Sequence, residues 1–449
     1  MEISLKKCNF ALKITEFQYN MYRNITHHLE EWQKSKNRKP LILLGARQVG
    51  KTWIMQNFGK NNYDSVAYVN CDEHPLAKSL FEADYNISRI LLVVQAITGV
   101  VVVPGKTLVI FDEIQEAPRG LHCLKYFYEN APEYHVMAAG SLLGITLGHK
   151  ESYPVGKVTM LHLYPMNFEE FMLALGEEQL HDILQQGDKE MLGILKPKYI
   201  ELLRQYYFVG GMPEVVLSYV ENRDLQEVRT LQKDIIESYR RDIAKHATKS
   251  EAMRINQVLD SIPSQLTKEN KKFIYGVIKE GARAAQFELA IQWLIDAGIV
   301  YKVPRVSVLK MPLKAYEDVG AFKLFLLDCG LFGQMADAPA TQVIASDNAF
   351  TEYKGAFTEQ YVHQQFTSKD INAYYWSNER SSAEIDFVIQ NNDKVIPVEV
   401  KAEENVRAKS MSEYIKNNPE LNLKGLRISM KGYVDQGWME NIPLYAIKL

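Results

Sequence analysis

The sequence predicts an α/β protein with a mostly parallel sheet in its N-terminal part and a second, smaller α/β domain at its C-terminal end. Two observations predict this. Up to about residue 170, short runs of β-formers at 41–44, 65–69, 107–111 and 135–139 alternate with helical runs, and strands separated by helical crossovers pair in parallel. Beyond about residue 340, a helical run at 357–366 precedes three β-like runs at 373–376, 385–389 and 395–400.

The 449 residues exceed what one hydrophobic core usually serves, so several domains are expected. Changes of pattern divide the chain into 1–170, 171–245, 246–335 and 336–449. The second segment is helical and broken by Gly210, Gly211 and Pro213, which reads as a helical lid on the sheet domain. In the third, Phe287, Ala290, Ile291, Leu294 and Ile295 keep the spacing of one buried helix face, Gly298 supplies the stop, and a β-like stretch follows at 299–303. Helix followed at once by a short strand predicts a winged helix. Between residues 245 and 310, 11 Lys and Arg stand against 6 Asp and Glu, so Lys268, Lys271, Lys272, Lys279 and Arg283 are expected to meet DNA phosphates.

For the chain as a whole, 52 Lys and Arg against 55 Asp and Glu, with 47% hydrophobic residues, exclude a highly basic nucleic-acid wrapper and a disordered chain. The four cysteines lie far apart without a CxxC pair, which argues against a structural zinc or a disulfide framework and fits a reducing cytoplasm. The longest apolar run, 90–103, is shorter than the roughly 20 residues a bilayer needs and contains Gln95 and Thr98, so no membrane span is expected. The first twenty residues lack a signal-peptide core, and a cytoplasmic protein is expected.

Directly after the apolar run 41–44 stand Gly45, Ala46, Arg47, Gln48, Val49, Gly50, Lys51 and Thr52, a GxxxxGKT sequence opening a helical run. Glycines let the backbone curl so that its N–H groups face phosphate oxygens. Lys51 then reaches the β- and γ-phosphates of ATP, and the Thr52 hydroxyl ligates Mg²⁺. The run 108–111 ends in Asp112 and Glu113. A buried parallel strand delivers its C-terminal residues to the same sheet edge as the loop, so Asp112 can hold the magnesium shell while Glu113 polarises the attacking water. The strand at 135–139 leads to Ser141, placed to sense the γ-phosphate.

In the C-terminal part, Glu384 to Ile389 and Val395 to Lys401 flank a polar turn and form a natural hairpin. Alternation along a strand puts Glu399 and Lys401 on one face. Asp386 can lie near Glu399, giving two hard oxygen ligands for Mg²⁺ or Mn²⁺ with an ammonium beside them, and Glu359 on the preceding helix could reach the same edge. Tyr374, Tyr375, Trp376 and Trp438 read as core and rim rather than as a base-stacking platform.

The segments GARQVGKT at 45–52, IFDEIQEAP at 110–118, AGSLLG at 139–144, YPVGKV at 153–158, LYPMNFEEF at 163–171 and VGGMPEVV at 209–216 resemble AAA-type P-loop ATPases of the archaeal and bacterial group related to the STAND class. The resemblance implies ATP and Mg²⁺ as ligands and makes GGMP at 210–213 a lid motif that approaches the nucleotide. In YPVGKV, Lys157 stands where relatives more often carry arginine. The helical Glu359, strand Asp386 and Glu399-Val400-Lys401 resemble the PD-(D/E)xK nuclease layout. KGAFTEQYV at 354–362 and AEIDFVI at 383–389 further resemble a domain of unknown function that follows AAA modules in bacterial proteins. That resemblance implies metal ligation by Asp386 and Glu399, a water-orienting Lys401 and an assisting Glu359. DNA is the expected partner, and assembly into a homo-oligomer is open. A nucleotide-dependent regulatory switch, or a defence-type module whose last domain binds without cutting, is the alternative.

Overall fold

The computed structural model describes residues 21–82, 84–117, 119–140, 156–268, 271–344, 351–378, 381–403 and 408–448. The chain separates into two compact units, one of residues 22–164 with 296–299, the other of 165–295 with 300–449.

The first unit holds a five-stranded sheet of β1 (Leu41–Leu44), β2 (Ser65–Asn70), β3 (Thr107–Asp112), β4 (His135–Ala139) and β5 (Thr159–His162). Their order is β2-β3-β4-β1-β5 and every pairing is parallel. Alternate residues serve opposite faces. Ile42, Val69, Val109, Phe111, Val136 and Ala138 join one core with residues of the Ile87–Thr98 and Gly120–Asn130 helices. On the other face the Lys51–Asn62 helix packs so closely that a Cβ on Gly59 would lie 2.6 Å from Val66 Cγ2 and 3.1 Å from Leu108 Cδ2. Strands covered on both faces read as unbroken apolar runs rather than alternating ones, which is why β1, β3 and β4 stand out in the sequence. β5 was not expected, because its burial alternates and Met160 and His162 face outward.

In the second unit, helices run from Phe168–Ala174 to Lys249–Leu266. The segment expected as a lid is helical, and it packs in the same unit as the C-terminal half. The GGMP motif at 210–213 is tightly packed within this unit. Gly211 donates its N–H to Asp328 Oδ2 at 2.6 Å and accepts from Met166 N at 2.7 Å. A Cβ on Gly211 would stand 1.9 Å from the Met166 carbonyl oxygen, so no other residue fits.

An eight-stranded mixed sheet completes this unit, in the order β12-β13-β11-β10-β9-β8-β6-β7. Its strands are β6 (Val300–Val306), β7 (Glu317–Leu326), β8 (Ala373–Ser377), β9 (Glu384–Asn391), β10 (Lys394–Lys401), β11 (Gly425–Ser429), β12 (Val434–Asp435) and β13 (Met439–Pro443). The expected helix is present at Ala284–Asp296. The strand after it is no short isolated wing: β6 pairs antiparallel with the ten-residue β7 and meets β8 at Arg305 opposite Tyr375. The β9–β10 hairpin forms as expected, with Phe387 opposite Val398.

The Thr351–Thr367 helix belongs to the same unit and buries polar side chains beside its apolar Phe357, Tyr361, Val362 and Phe366. Thr358, Glu359, Gln360, His363, Gln364 and Gln365 are all buried. The glutamines replace lost water bonds. Gln360 pairs in both directions with the Leu326 backbone, Gln364 accepts from Cys329 N, and Gln365 accepts from Phe168 N. His363 stacks on Phe325 at 4.5 Å, and burial pulls its imidazole down to about 3. A histidine depressed in the folded state refuses a proton that the unfolded chain takes up below pH ~6.5. Its stability contribution is therefore lost as pH falls from there toward 3, at up to about 1.4 kcal/mol per unit. His363→Phe is expected to flatten the acid limb of stability, measured as urea midpoints between pH 7 and 4. An unchanged slope would place the proton uptake elsewhere.

Candidate functional site

The loop between β1 and the Lys51–Asn62 helix is built from backbone that few residues tolerate. Gly45 has φ 150°, Gln48 φ 64° and Gly50 φ 94°. A Cβ on Gly45 would stand 2.3 Å from the Leu163 carbonyl oxygen. Lys51 is 7% exposed, and its ammonium folds back onto the carbonyls of Gly45 at 2.9 Å and Ala46 at 2.8 Å. Burial pulls this ammonium down to about 8 against the opposing attraction of Glu113 and Asp112.

Although β4 separates β1 from β3, the parallel order brings the two C-terminal ends to one edge. There the Thr52 hydroxyl donates to Asp112 Oδ2 at 2.5 Å. Tyr68 donates to the same oxygen at 3.1 Å, and Glu113 N donates to Asp112 Oδ1 at 3.0 Å. Hard oxygens from a hydroxyl and a carboxylate suit Mg²⁺, so the donor set fits the ion the loop implies. Glu113 occupies the left-handed region at φ 48°, ψ 44°, and its Oε2 accepts from Gln115 Nε2 at 2.5 Å. A non-glycine residue held there costs of order 1 kcal/mol or more, a strain concentrated at functional sites. Ser141 lies outside the described residues. Lys157 pairs with Glu129 at 3.0 Å and sits over the Tyr128 ring, so its charge is used within its own unit.

Sequence reasoning missed two contributors. Arg23 is 3% exposed and ties the loop to the end of β5, donating to Val49 O at 3.0 Å and Tyr164 O at 2.6 Å. No motif marks it. Tyr68 was legible in principle, since it stands opposite Ile110 on β2, two residues before the sheet edge.

The second cluster lies in the other unit. Asp386 on β9 accepts from Val400 N at 2.8 Å, and Lys401 contacts Glu399 Oε1 at 2.7 Å. Both carboxylates are nearly buried, Asp386 at 8% and Glu399 at 6%. Burial, reinforced by Asp386, lifts the Glu399 carboxyl to about 7 while Lys401 opposes. Among the described residues no hydrogen bond reaches the buried Oε2 of Glu399. An orphaned carboxylate oxygen beside a second carboxylate fits a divalent cation.

Glu359 behaves differently from the expectation. Among the described residues no three acidic, histidine or cysteine side chains converge tightly enough to hold a metal. Glu359 Oε1 is contacted by Lys271, and its Oε2 lies 3.6 Å from Lys323. Lys323 is wholly buried and also contacts Glu384 at 2.5 Å. Lys271 was expected on a phosphate-facing surface; it is turned inward because buried Glu359 needs a counter-charge. Lys268, Lys279 and Arg283 remain exposed. Lys323 could have been found as the one charge in the apolar run 321–327.

The strand order and the loop define the first unit as a P-loop NTPase fold. Residues 37–172 match the family model of an AAA domain. Residues 200–342 and 354–447 match two domains of unknown function, DUF8612 and DUF4143. No curated protein matches the chain. Among solved structures, the chain is similar to the Walker-type ATPase PABY2304 of Pyrococcus abyssi, at 14% identity and TM-score 0.42, over 69% of this chain and 94% of that one. It is also similar to the ORC1 protein of Aeropyrum pernix in complex with DNA, at 12% identity and TM-score 0.29, over 71% and 92%. A third is Cdc6p of Pyrobaculum aerophilum, at 13% identity and TM-score 0.25, over 70% and 90%. Among the described residues no helix is long and apolar enough to cross a membrane.

Proposed function

We propose that the chain binds ATP with Mg²⁺ and hydrolyses it, and that its C-terminal sheet is a nuclease-like module acting on DNA. The observation that carries the first part is the 2.5 Å contact of Thr52 Oγ1 with Asp112 Oδ2. It joins the loop to the acidic strand end where a nucleotide's metal shell must form. When bound, Mg²⁺ neutralises phosphate charge. Lys51 leaves its two loop carbonyls for the β- and γ-phosphates, Thr52 and Asp112 supply oxygen ligands, and Glu113 orients water and accepts its proton. Ser141 is proposed as the group that senses the γ-phosphate.

For the C-terminal module, support comes from Asp386, Glu399 and Lys401 on adjacent strands, with one Glu399 oxygen unpartnered. Asp386 and Glu399 would hold a cation, Lys401 would orient water, and the exposed Lys268, Lys279 and Arg283 would meet DNA phosphates. The test is a plasmid-nicking assay of the full chain in Mg²⁺ or Mn²⁺ beside Asp386→Asn. Metal-dependent nicking that the variant reduces by ~100-fold or more is expected, as loss of a hard ligand demands. Intact plasmid despite DNA binding would favour a module that binds a partner without cutting.

A further inference from the structure

The carboxylate cluster already holds a cation of its own. Lys271 reaches Glu359 from the segment between the Lys249–Leu266 and Tyr275–Ile278 helices. That segment is pinned just beyond Lys271. Phe273 N donates to Phe322 O at 2.7 Å along β7, and Gln265 bonds both the N–H and the carbonyl of Ile274. The next residue on β7 is Lys323, whose ammonium lies near the other oxygen of the same Glu359 carboxylate.

The two lysines are not equivalent. Lys323 is fully buried, contacts Glu359 and Glu384, and lies 3.4 Å from the Asp386 carbonyl oxygen. It is a permanent part of the core. The Lys271 side chain keeps 17% exposure on a four-carbon stem, and its charge interacts with Asp386 as well as Glu359. Four carboxylates, Glu359, Glu384, Asp386 and Glu399, face three lysines, Lys271, Lys323 and Lys401. A divalent ion entering beside Asp386 and Glu399 therefore meets a cluster whose charge is largely spent.

We infer that Lys271 is a displaceable internal cation that closes the carboxylate site, and that a divalent metal ion and the Lys271 ammonium compete for it. The inference rests on reading Asp386 and Glu399 as cation ligands. Withdrawal of Lys271 removes the ammonium that now contacts Glu359 and interacts with Asp386, and so restores negative charge to the cluster that the ion enters. The site's apparent affinity is lowered by the fraction of molecules in which Lys271 is seated.

The experiment titrates Mn²⁺ alone into the full chain by calorimetry, for wild type, Lys271→Gln, Lys271→Arg and Asp386→Asn. Lys271→Gln should bind Mn²⁺ at least ~10-fold tighter than wild type, Lys271→Arg should match wild type, and Asp386→Asn should not bind. A second readout needs no variant. Acetylation of lysines followed by mass spectrometry should find Lys271 protected in EDTA and reactive at saturating Mn²⁺. Equal Mn²⁺ affinity in wild type and Lys271→Gln, or unchanged Lys271 reactivity with binding lost in Asp386→Asn, overturns the competition while leaving the cation site. Absence of Mn²⁺ binding in both wild type and Lys271→Gln overturns the competition and the cation site together.

Discussion

Lys51→Ala is expected to weaken ATP binding by ~100-fold or more, about 2.7 kcal/mol, because a charge-assisted bond to phosphate is lost from the residue that opens the Lys51–Asn62 helix. The change acts twice. It removes the ammonium that would meet the phosphates, and in the ligand-free loop it leaves the carbonyls of Gly45 and Ala46 without the donor that now caps them at 2.9 and 2.8 Å. The second effect falls on the free protein and is read as a change in its stability, while the loss of affinity comes from the missing charge. Calorimetry of ATP binding at fixed Mg²⁺ measures it. Equal affinity in wild type and variant would mean that the loop does not bind the phosphates.

Glu113→Gln is expected to separate binding from turnover. The amide keeps the shape of the carboxylate, and the backbone strain at φ 48° is a property of the chain rather than of the charge. Asp112, which carries the Thr52 and Tyr68 bonds, is untouched. ATP affinity should therefore stay within a few-fold of wild type, while turnover falls by ~100- to 10,000-fold, the usual contribution of a positioned base. Phosphate release at saturating ATP reports the loss. A variant with wild-type turnover would remove Glu113 from the chemistry.

How much was legible in the sequence follows from which kind of burial each element undergoes. β1, β3 and β4 are covered on both faces and announce themselves as apolar runs, and the loop after β1 needs residue types that few other structures need. The hairpin of β9 and β10 was legible because alternation and a polar turn coincide there. The Thr351–Thr367 helix was legible as a helical run, since it buries Phe357, Tyr361, Val362 and Phe366, but the burial of its Thr, Glu, Gln and His side chains was not. Its glutamines are satisfied by backbone groups distant in sequence, of which hydrophobic periodicity carries no trace. The same gap explains Lys271. A lysine among Lys268, Lys272 and Lys279 reads as one of a basic surface, and only the fold reveals buried Glu359 beneath it. Arg23 shows a different limit, since it donates to main-chain carbonyls of Val49 and Tyr164, which leave no signature in residue type.

The most direct measurement is phosphate release from ATP by the purified full chain, in Mg²⁺ and in EDTA, with Glu113→Gln alongside at matched nucleotide occupancy. The site made by Lys51, Thr52, Asp112 and Glu113 predicts release that requires Mg²⁺ and is lost in the variant, although the variant still holds ATP. Release that persists in EDTA, survives in Glu113→Gln, or is absent from wild type with ATP bound would contradict it.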